Sequence, residues 1–260
     1  MTSATFGTGK VTGERVTTPA AGFNPTWQRH VAAYERCEGL LPGGRILDLG
    51  CGVGHSYHLL GPRETVGVDI DPEALASQER ETHVADMRDL PFTDDDFDGV
   101  IAVQSIEHVP DPERVIAEVR RVMRPGGTAV LVTPNRLTFA RPDEIIDPYH
   151  YVEFSADELW RLCAPSFEVV DVRGLFGSPR YLELVAAERI KLDRLLRRDP
   201  LRLRRFVPRA IRQRLYDRLL SRHRVDDGPA AAAIGTNDFE LRDEPLAKCL
   251  DLIAICRGPS

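Results

Sequence analysis

The chain has 260 residues, of which 42% are hydrophobic and 28% are charged. This balance excludes a disordered, fibrous or membrane-spanning chain and is typical of a globular protein with one large α/β domain or two small ones. Its 34 basic and 40 acidic residues give a net charge of −6, which argues against nucleic-acid binding by bulk attraction.

Two features of the sequence favour a cytoplasmic protein. The N-terminal segment is polar and lacks the apolar core of a signal peptide, and no run approaches the roughly 18 apolar residues of a membrane-spanning helix. The five cysteines are scattered, odd in number and form no CxxC pair. This pattern is typical of reduced thiols and argues against a disulfide framework or a zinc site.

In chain order, residues 1–22 are rich in Gly, Thr and Pro and predict a flexible arm, followed by one domain over residues 23–260. Apolar residues at helical spacing predict a helix over residues 26–41 that ends at ProGlyGly. Short apolar runs then alternate with helical segments, which indicates an α/β fold with a buried parallel sheet and helices on both faces. The predicted strands are Arg45–Leu49, Thr65–Asp69, Gly99–Gln104, Thr128–Thr133, Phe167–Val172 and Cys249–Cys256, with a helix at Asp111–Met123.

Residues 178–246, before the last predicted strand, have a helical rhythm of apolar residues broken by Pro200 and Pro208, and predict an inserted helical cap. Within it, residues 187–224 carry 14 Lys and Arg against 4 Asp and Glu. This basic stretch would suit an anionic or lipid-linked acceptor and peripheral contact with lipid. It would also suit a solvated helix face, and the arginine bias of the whole chain slightly favours that interpretation.

The most informative segment is ILDLGCGVG, which has three glycines directly after a strand: Gly50, Gly52 and Gly54. Such a loop turns tightly and lets a ligand approach the backbone, but dinucleotide-binding enzymes use a similar spacing. Asp48, two residues before the first glycine, would repel a pyrophosphate and attract a cationic amino-acid moiety. Asp69 ends the second strand, where a carboxylate can accept both ribose hydroxyls. The pattern therefore indicates a nucleoside ligand without phosphates.

Four motifs over residues 45–135 resemble, in order and at family spacing, those of the class I S-adenosylmethionine-dependent methyltransferases. The motifs are ILDLGCGVG, GVDIDPEAL, ADMRDLPFTDDDFDGVIAVQSIEHVPDPERVIAEVRRVMRPGG and TAVLVTPN. The resemblance implies a Rossmann-like, seven-stranded, mostly parallel sheet with an antiparallel last strand. It also implies S-adenosyl-L-methionine as methyl donor and S-adenosyl-L-homocysteine as product.

Carried over to this chain, the resemblance assigns ten residues to the donor. Those expected around the methionine part are Asp48, Gly50, Cys51, Gly52 and Gly54. Asp69 is expected to bind the ribose, and Gln104 is expected to close the methionine end of the site. Around the adenine, Ile70 is expected to pack on one face, Asp86 to accept from the amino group and Met87 to lie beside the ring. Asp71, before Pro72, is interpreted as a helix N-cap rather than a ligand.

Two histidines follow central strands at the edge where open α/β sheets bind ligands, and they are candidate bases for a hydroxyl acceptor. His108 lies in QSIEHV with Glu107 beside it, and His150 lies in DPYHYVEF. QSIEHVPDP is similar to the ExxEHVPDP pattern of quinone-biosynthesis O-methyltransferases, whose acids and histidine help to hold a divalent metal. That resemblance implies a Mg²⁺ site at Glu107, His108 and His150, although Gln104 replaces the first acid. The structural alternatives are a helix-start residue for His108 and a buried loop-tying histidine for His150.

The segment TPNRLTFARPDEIIDPYHYVEFSADEL resembles the acceptor side of methyltransferases that act on sugars and glycans, and no N/D-P-P-Y/F/W motif follows the fourth strand. We therefore predict O-methylation of a small molecule, with a sugar or oligosaccharide of polysaccharide or glycolipid biosynthesis as the first expectation. A phenol or quinone precursor is the alternative acceptor. A non-catalytic donor-binding protein and an NAD-dependent dehydrogenase are the competing classes.

Overall fold

The computed structural model describes residues 24–139, 144–197, 199, 203–223, 228–243 and 245–259, so the arm predicted over residues 1–22 lies outside the described residues. The strands are β1 Arg45–Leu49, β2 Glu64–Asp69, β3 Glu81–Val84, β4 Phe97–Val103, β5 Met123–Pro134, β6 Val169–Gly177, β7 Phe239–Arg242 and β8 Asp251–Arg257. The helices are α1 Asn24–Cys37, α2 Pro72–Leu75, α3 Pro112–Val122, α4 Arg136–Phe139, α5 Ala156–Cys163, α6 Pro179–Leu196, α7 Arg209–His223 and α8 Gly228–Ala232.

Among these residues, the strands form one sheet in the order β3-β2-β1-β4-β5-β8-β6-β7. The pairs from β3 to β5 are parallel, and β8 runs antiparallel between β5 and β6. The predicted Rossmann-like class and the antiparallel last strand are therefore confirmed. The strand order reverses direction at β1 and β4, and their carboxyl ends open the crevice in which such sheets bind ligands.

The predicted count of seven strands is wrong, because the sheet of the described residues has eight. The additional strand, β7, lies inside the segment predicted as a helical cap and pairs antiparallel with β6 at the sheet edge. Only Phe239 of its four residues is fully buried. A short edge strand buries little apolar surface, so it leaves a weak hydrophobic signal in the sequence.

Both faces of the sheet are covered by helices. Ile46 and Leu47 are adjacent in β1 and fully buried, but they belong to two different cores. Leu47 packs in the core that includes Val115 of α3 and Leu159 of α5, whereas Ile46 packs in the core that includes Ala33 of α1. This two-sided burial explains the near-continuous apolar strands of the sequence. No helix within the described residues is both long and apolar enough to cross a bilayer.

Candidate active site

A cavity of about 280 Å³ opens at the carboxyl ends of β1, β2, β3 and β4. Nine of the predicted site residues line it, and these are Gly50, Cys51, Gly52, Asp69, Ile70, Asp86, Met87, Gln104 and His108. Four predicted residues do not line it, and these are Asp48, Gly54, Glu107 and His150. The sheet therefore gathers most of the expected donor site from four separate strand ends.

The loop after β1 depends on glycine at two positions of its turn. Gly50 has φ +70°, and a Cβ there would lie 2.5 Å from the Cβ of Ser105, so any side chain would displace the end of β4. Gly52 has φ +53°, and a Cβ there would meet open space. Glycine at position 52 thus relieves backbone strain while leaving room beside the loop for a ligand.

Asp69 is held in place by the backbone on both carboxylate oxygens. Its Oδ2 accepts from the Gly52 amide at 2.9 Å, and its Oδ1 accepts from the Asp71 amide at 2.9 Å. A carboxylate oxygen has further lone pairs, so this fixed group can still accept from two hydroxyls. The next residue, Ile70, is 66% exposed at the cavity. An exposed aliphatic side chain beside a fixed carboxylate suits the ribose and adenine of the expected donor. The Asp71 side chain accepts from the Glu73 amide, which confirms its interpretation as an N-cap.

Asp86 is paired with Arg88, a residue to which the sequence reasoning assigned no role. The Arg88 guanidinium donates to both Asp86 oxygens, at 3.0 Å from Nε and 2.6 Å from Nη2. The hydrogen bond from Arg88 holds the pKa of the Asp86 carboxyl below its usual value. The carboxylate is therefore an ionised acceptor, and its position in the cavity wall is set by a neighbour two residues away.

Asp48 lies behind the glycine loop and is fully buried. Its oxygens accept from the Tyr34 hydroxyl at 2.8 Å and from Nη2 of Arg80 at 2.7 Å. The charge expected to attract the cationic end of the donor is thus already balanced by a buried arginine. The sequence gives no local signal for this partner, because Arg80 comes from the segment between α2 and β3.

Gln104 has φ +52° and is linked to the last strand. Its Nε2 donates to Oδ1 of Asp251 at 2.9 Å, and Arg29 of α1 also donates to that carboxylate. A carboxylate can only accept, so Asp251 fixes the amide orientation and leaves the Gln104 oxygen as an acceptor for a ligand. One feature of the sequence could have indicated a role for Asp251, because it is an acidic residue at the start of an otherwise apolar strand.

Helix α1 closes one side of the cavity, although the sequence reasoning gave it no functional role. His30 and Tyr34 of α1 line the cavity together with His55 of the glycine-rich segment. The Trp27 and His55 ring centroids are 4.5 Å apart. Burial lowers the pKa of His55 to about 3, so its imidazole is neutral near pH 7. The loop is therefore bordered by aromatic rings at this end, and the His55 ring among them is uncharged.

The two candidate histidines meet beside the cavity. His108, which lines it, and His150 have ring centroids 5.0 Å apart in an edge-to-face arrangement. The Nδ1 atom of His150 lies 2.9 Å from Oε1 of Glu153, and both residues are buried. Burial alone would lower the pKa of His150, but the hydrogen bond to Glu153 and the charges of Glu107 and other acids raise it. Glu153 had no predicted role, although it lies only three residues after His150 in the sequence.

Glu107 is fully buried behind the histidines. Its Oε2 accepts from the Thr133 hydroxyl at 3.0 Å, and its Oε1 has no hydrogen-bond partner among the described residues. Burial raises the pKa of Glu107 to about 7, against the opposing charge of His150. The carboxyl group can therefore hold or release a proton near neutral pH.

The predicted metal ligands lie close together but do not fit the predicted metal. Single ligand atoms of Glu107, His108 and His150 all lie within 4.8 Å of one another. Mg²⁺ prefers oxygen ligands and octahedral geometry, whereas this set offers two imidazole nitrogens and one carboxylate. These residues therefore do not fit Mg²⁺.

Comparisons with known proteins identify the family of this chain. A family model described as "Methyltransferase domain" matches residues 47–131. Two relatives named "Probable S-adenosylmethionine-dependent methyltransferase" are similar over nearly the whole chain. The Mycolicibacterium smegmatis protein is 31% identical over 96% of this chain and 95% of its own length. The Mycobacterium tuberculosis protein is 32% identical over 96% of this chain and 89% of its own length.

A solved structure of a SAM-dependent methyltransferase from Thermotoga maritima is also similar, with a TM-score of 0.60 at 17% identity. The similarity covers 90% of this chain and 91% of that chain. At this identity the likeness concerns the fold alone. The mycobacterial matches therefore carry the relationship, and they extend beyond the glycine loop into the segment between β6 and β8.

Proposed function

Because the chain belongs to the class I S-adenosylmethionine-dependent methyltransferases, we propose that it methylates a hydroxyl group of a small molecule, with a sugar or oligosaccharide as acceptor. The observation that carries the proposal is His108 in the wall of the donor cavity, next to the buried His150–Glu153 pair. An alcohol must lose its proton during methyl transfer, and a positioned imidazole is the usual group that takes it.

The residues around the cavity suit a nucleoside donor that carries no phosphate groups. We assign the methionine part to Gly50, Cys51, Gly52 and the Gln104 oxygen, with Asp48 and Gly54 supporting the loop from behind. We assign the ribose to Asp69, and the adenine to Ile70, Asp86 and Met87. When bound, S-adenosylmethionine supplies a methyl group already activated on a sulfonium. The chain therefore mainly has to align the acceptor oxygen with it.

His108 faces the cavity, so we assign it as the first proton acceptor. With the donor bound, the His108 imidazole would take the hydroxyl proton of the acceptor while that oxygen received the methyl group that the sulfonium would supply. His150 lies behind His108, and Glu153 holds its ring by accepting from Nδ1. Glu107, with a pKa of about 7, is partly ionised at neutral pH and adds negative charge beside the imidazole pair to that extent. These charges stabilise an imidazolium formed during the reaction.

Aromatic groups beside the histidines support a saccharide acceptor. Phe139 stacks on His150 at 5.2 Å between centroids, and Tyr151 is partly exposed in the cavity wall. The Arg209 guanidinium covers the Tyr151 ring at 3.4 Å. Exposed aromatic edges flanked by hydrogen-bond donors suit the mixed apolar and polar faces of a sugar.

A phenol or quinone precursor is the second candidate acceptor. It is favoured by Phe139, a partly exposed ring stacked on His150, and by the exposed Leu137 two residues before it in the chain. An apolar ring would bury these side chains, whereas a sugar would leave part of them in water.

A methyl-transfer screen separates the two acceptors. The protein is incubated with radiolabelled donor and either neutral oligosaccharides or substituted phenols, with and without a metal chelator. The proposal predicts label in the oligosaccharides and no loss of label with chelator. Label confined to the phenols would select the second candidate, and label on neither class would overturn the assignment to hydroxyl acceptors of these two kinds.

A further inference from the structure

Helix α7 contacts the rest of the protein through a polar face. Arg209 donates from Nη2 to the Tyr149 carbonyl at 2.7 Å, and the Tyr149 hydroxyl donates to Asp217. The Tyr216 hydroxyl donates to Asp147 at 3.0 Å. These bonds tie α7 to the loop that carries His150, so α7 forms part of the acceptor side.

The opposite face of α7 is apolar and basic. Ile211 and Leu215 are one turn apart and about half exposed. Arg214 and Arg218 are also one turn apart, and both are exposed on the same side of the helix. Just before the helix, Phe206 is 84% exposed. We call these five residues the outer face of α7.

At Ile211 and Leu215 the helix departs from the usual amphipathic order. A surface helix normally buries its apolar stripe against the core and turns its polar side to water. Here the described inward contacts are hydrogen bonds of Tyr149, Asp217 and Tyr216, whereas Ile211 and Leu215 are exposed. Clustered apolar side chains that are held away from the core indicate a surface covered by a partner.

We propose that the outer face of α7 docks on an anionic lipid bilayer. An interfacial helix inserts aromatic and aliphatic side chains at the headgroup boundary while arginines bind anionic lipids. The outer face has both components, and residues 187–224 carry 14 Lys and Arg against 4 Asp and Glu. A second copy of the chain is a poorer occupant, because a symmetric contact would bring Arg214 and Arg218 of both copies together. Docking in this way would hold the loop that carries His150 near the membrane surface.

The test is sedimentation of the full chain with vesicles of phosphatidylcholine alone or with about 30 mol% phosphatidylglycerol. We expect binding to the anionic vesicles only, weakened by raising the salt from about 0.1 M to about 0.5 M. Arg214→Glu with Arg218→Glu should lower the partition coefficient at least tenfold, since each arginine near an anionic surface contributes about fivefold. Phe206→Ser with Ile211→Ser should lower it by a similar factor without changing its salt dependence.

The matched control is Trp160→Ser with Arg161→Glu on α5, where an exposed aromatic and an exposed arginine are also adjacent. The control should bind vesicles like the wild type. All variants should keep their affinity for S-adenosylhomocysteine, which verifies folding independently of any acceptor. Equal binding of the wild type to both vesicle types, or full binding by the Arg214/Arg218 variant, would overturn the proposal. If the wild type binds no vesicles but dimerises with rising concentration, and the Arg214/Arg218 variant does not dimerise, the outer face of α7 binds a second copy of the chain instead of a membrane.

Discussion

Nδ1 of His150 lies 2.9 Å from Oε1 of Glu153, and both side chains are buried behind the cavity-facing His108. A carboxylate in this position orients the imidazole and favours its protonated form. In Glu153→Gln the raised pKa of His150 should fall toward or below its usual value. The rise of kcat/KM with pH should then move to lower pH, with turnover reduced about tenfold. A pH profile of kcat/KM for the two proteins measures this, and superimposable profiles would remove Glu153 from the mechanism.

His108→Ala and His150→Ala should each lower turnover about 10²-fold or more, because each removes part of the proton-accepting pair. The affinity for S-adenosylhomocysteine, measured by calorimetry, should change little. His58→Ala is the matched control, since His58 is exposed and does not line the cavity. If both active-site variants turn over like the control, the base lies elsewhere in the protein.

Asp69→Asn should weaken binding of S-adenosylhomocysteine at least tenfold, since a hydrogen bond to a charged group contributes about 1.5–3 kcal/mol. Asp71→Asn is the matched control. Its side chain caps α2 by accepting from the Glu73 amide and does not line the cavity. Asparagine can replace this cap, so the control should bind as the wild type does. Equal affinities of the two variants would refute the ribose assignment.

Arg80→Met should lower the free energy of unfolding by about 3–5 kcal/mol, because it leaves the buried Asp48 carboxylate without its cation. Adding Asp48→Asn should restore much of the loss, as it removes the uncompensated charge. Denaturant titration gives the unfolding free energies. If Asp48 instead contacts the donor directly, Asp48→Asn alone will weaken donor binding more than it changes stability.

The raised pKa of Glu107 makes the stability of the protein depend on pH. Folding raises this pKa from its ordinary value of 4.5 to about 7, so the folded state holds the proton more tightly. The contribution is complete below pH 4.5 and is lost as the pH rises through about 7. The total loss of stability between pH 4.5 and about pH 7 amounts to about 3 kcal/mol.

Glu107→Gln should abolish this dependence, because glutamine stays neutral and can still accept from Thr133. The variant should gain stability relative to the wild type from pH 5 to pH 8, measured by denaturant titration at each pH with a chelator present. A constant difference between the two proteins would show that Glu107 is ionised throughout.

The sequence by itself determined the features that depend on neighbouring residues. The alternation of apolar runs and helical segments indicated an α/β sheet, because burial on both faces leaves a periodic signal in the chain. Gly50, Gly52, Asp69 and Ile70 directly follow or end strands, and the edge of a parallel sheet brings such positions together without further information. These residues line the cavity as a result.

Only the tertiary structure decided which distant groups meet. Arg80 reaches Asp48 from another segment, Asp251 reaches Gln104 from the last strand, and His150 lies against His108 because the loop after β5 returns beside β4. Hydrophobic periodicity specifies that a residue is buried, but not which polar partner satisfies it. Strand order and loop path set that partner. Here they place the predicted carboxylates Asp48 and Glu107 behind the cavity wall and bring a further carboxylate, Glu153, beside His150.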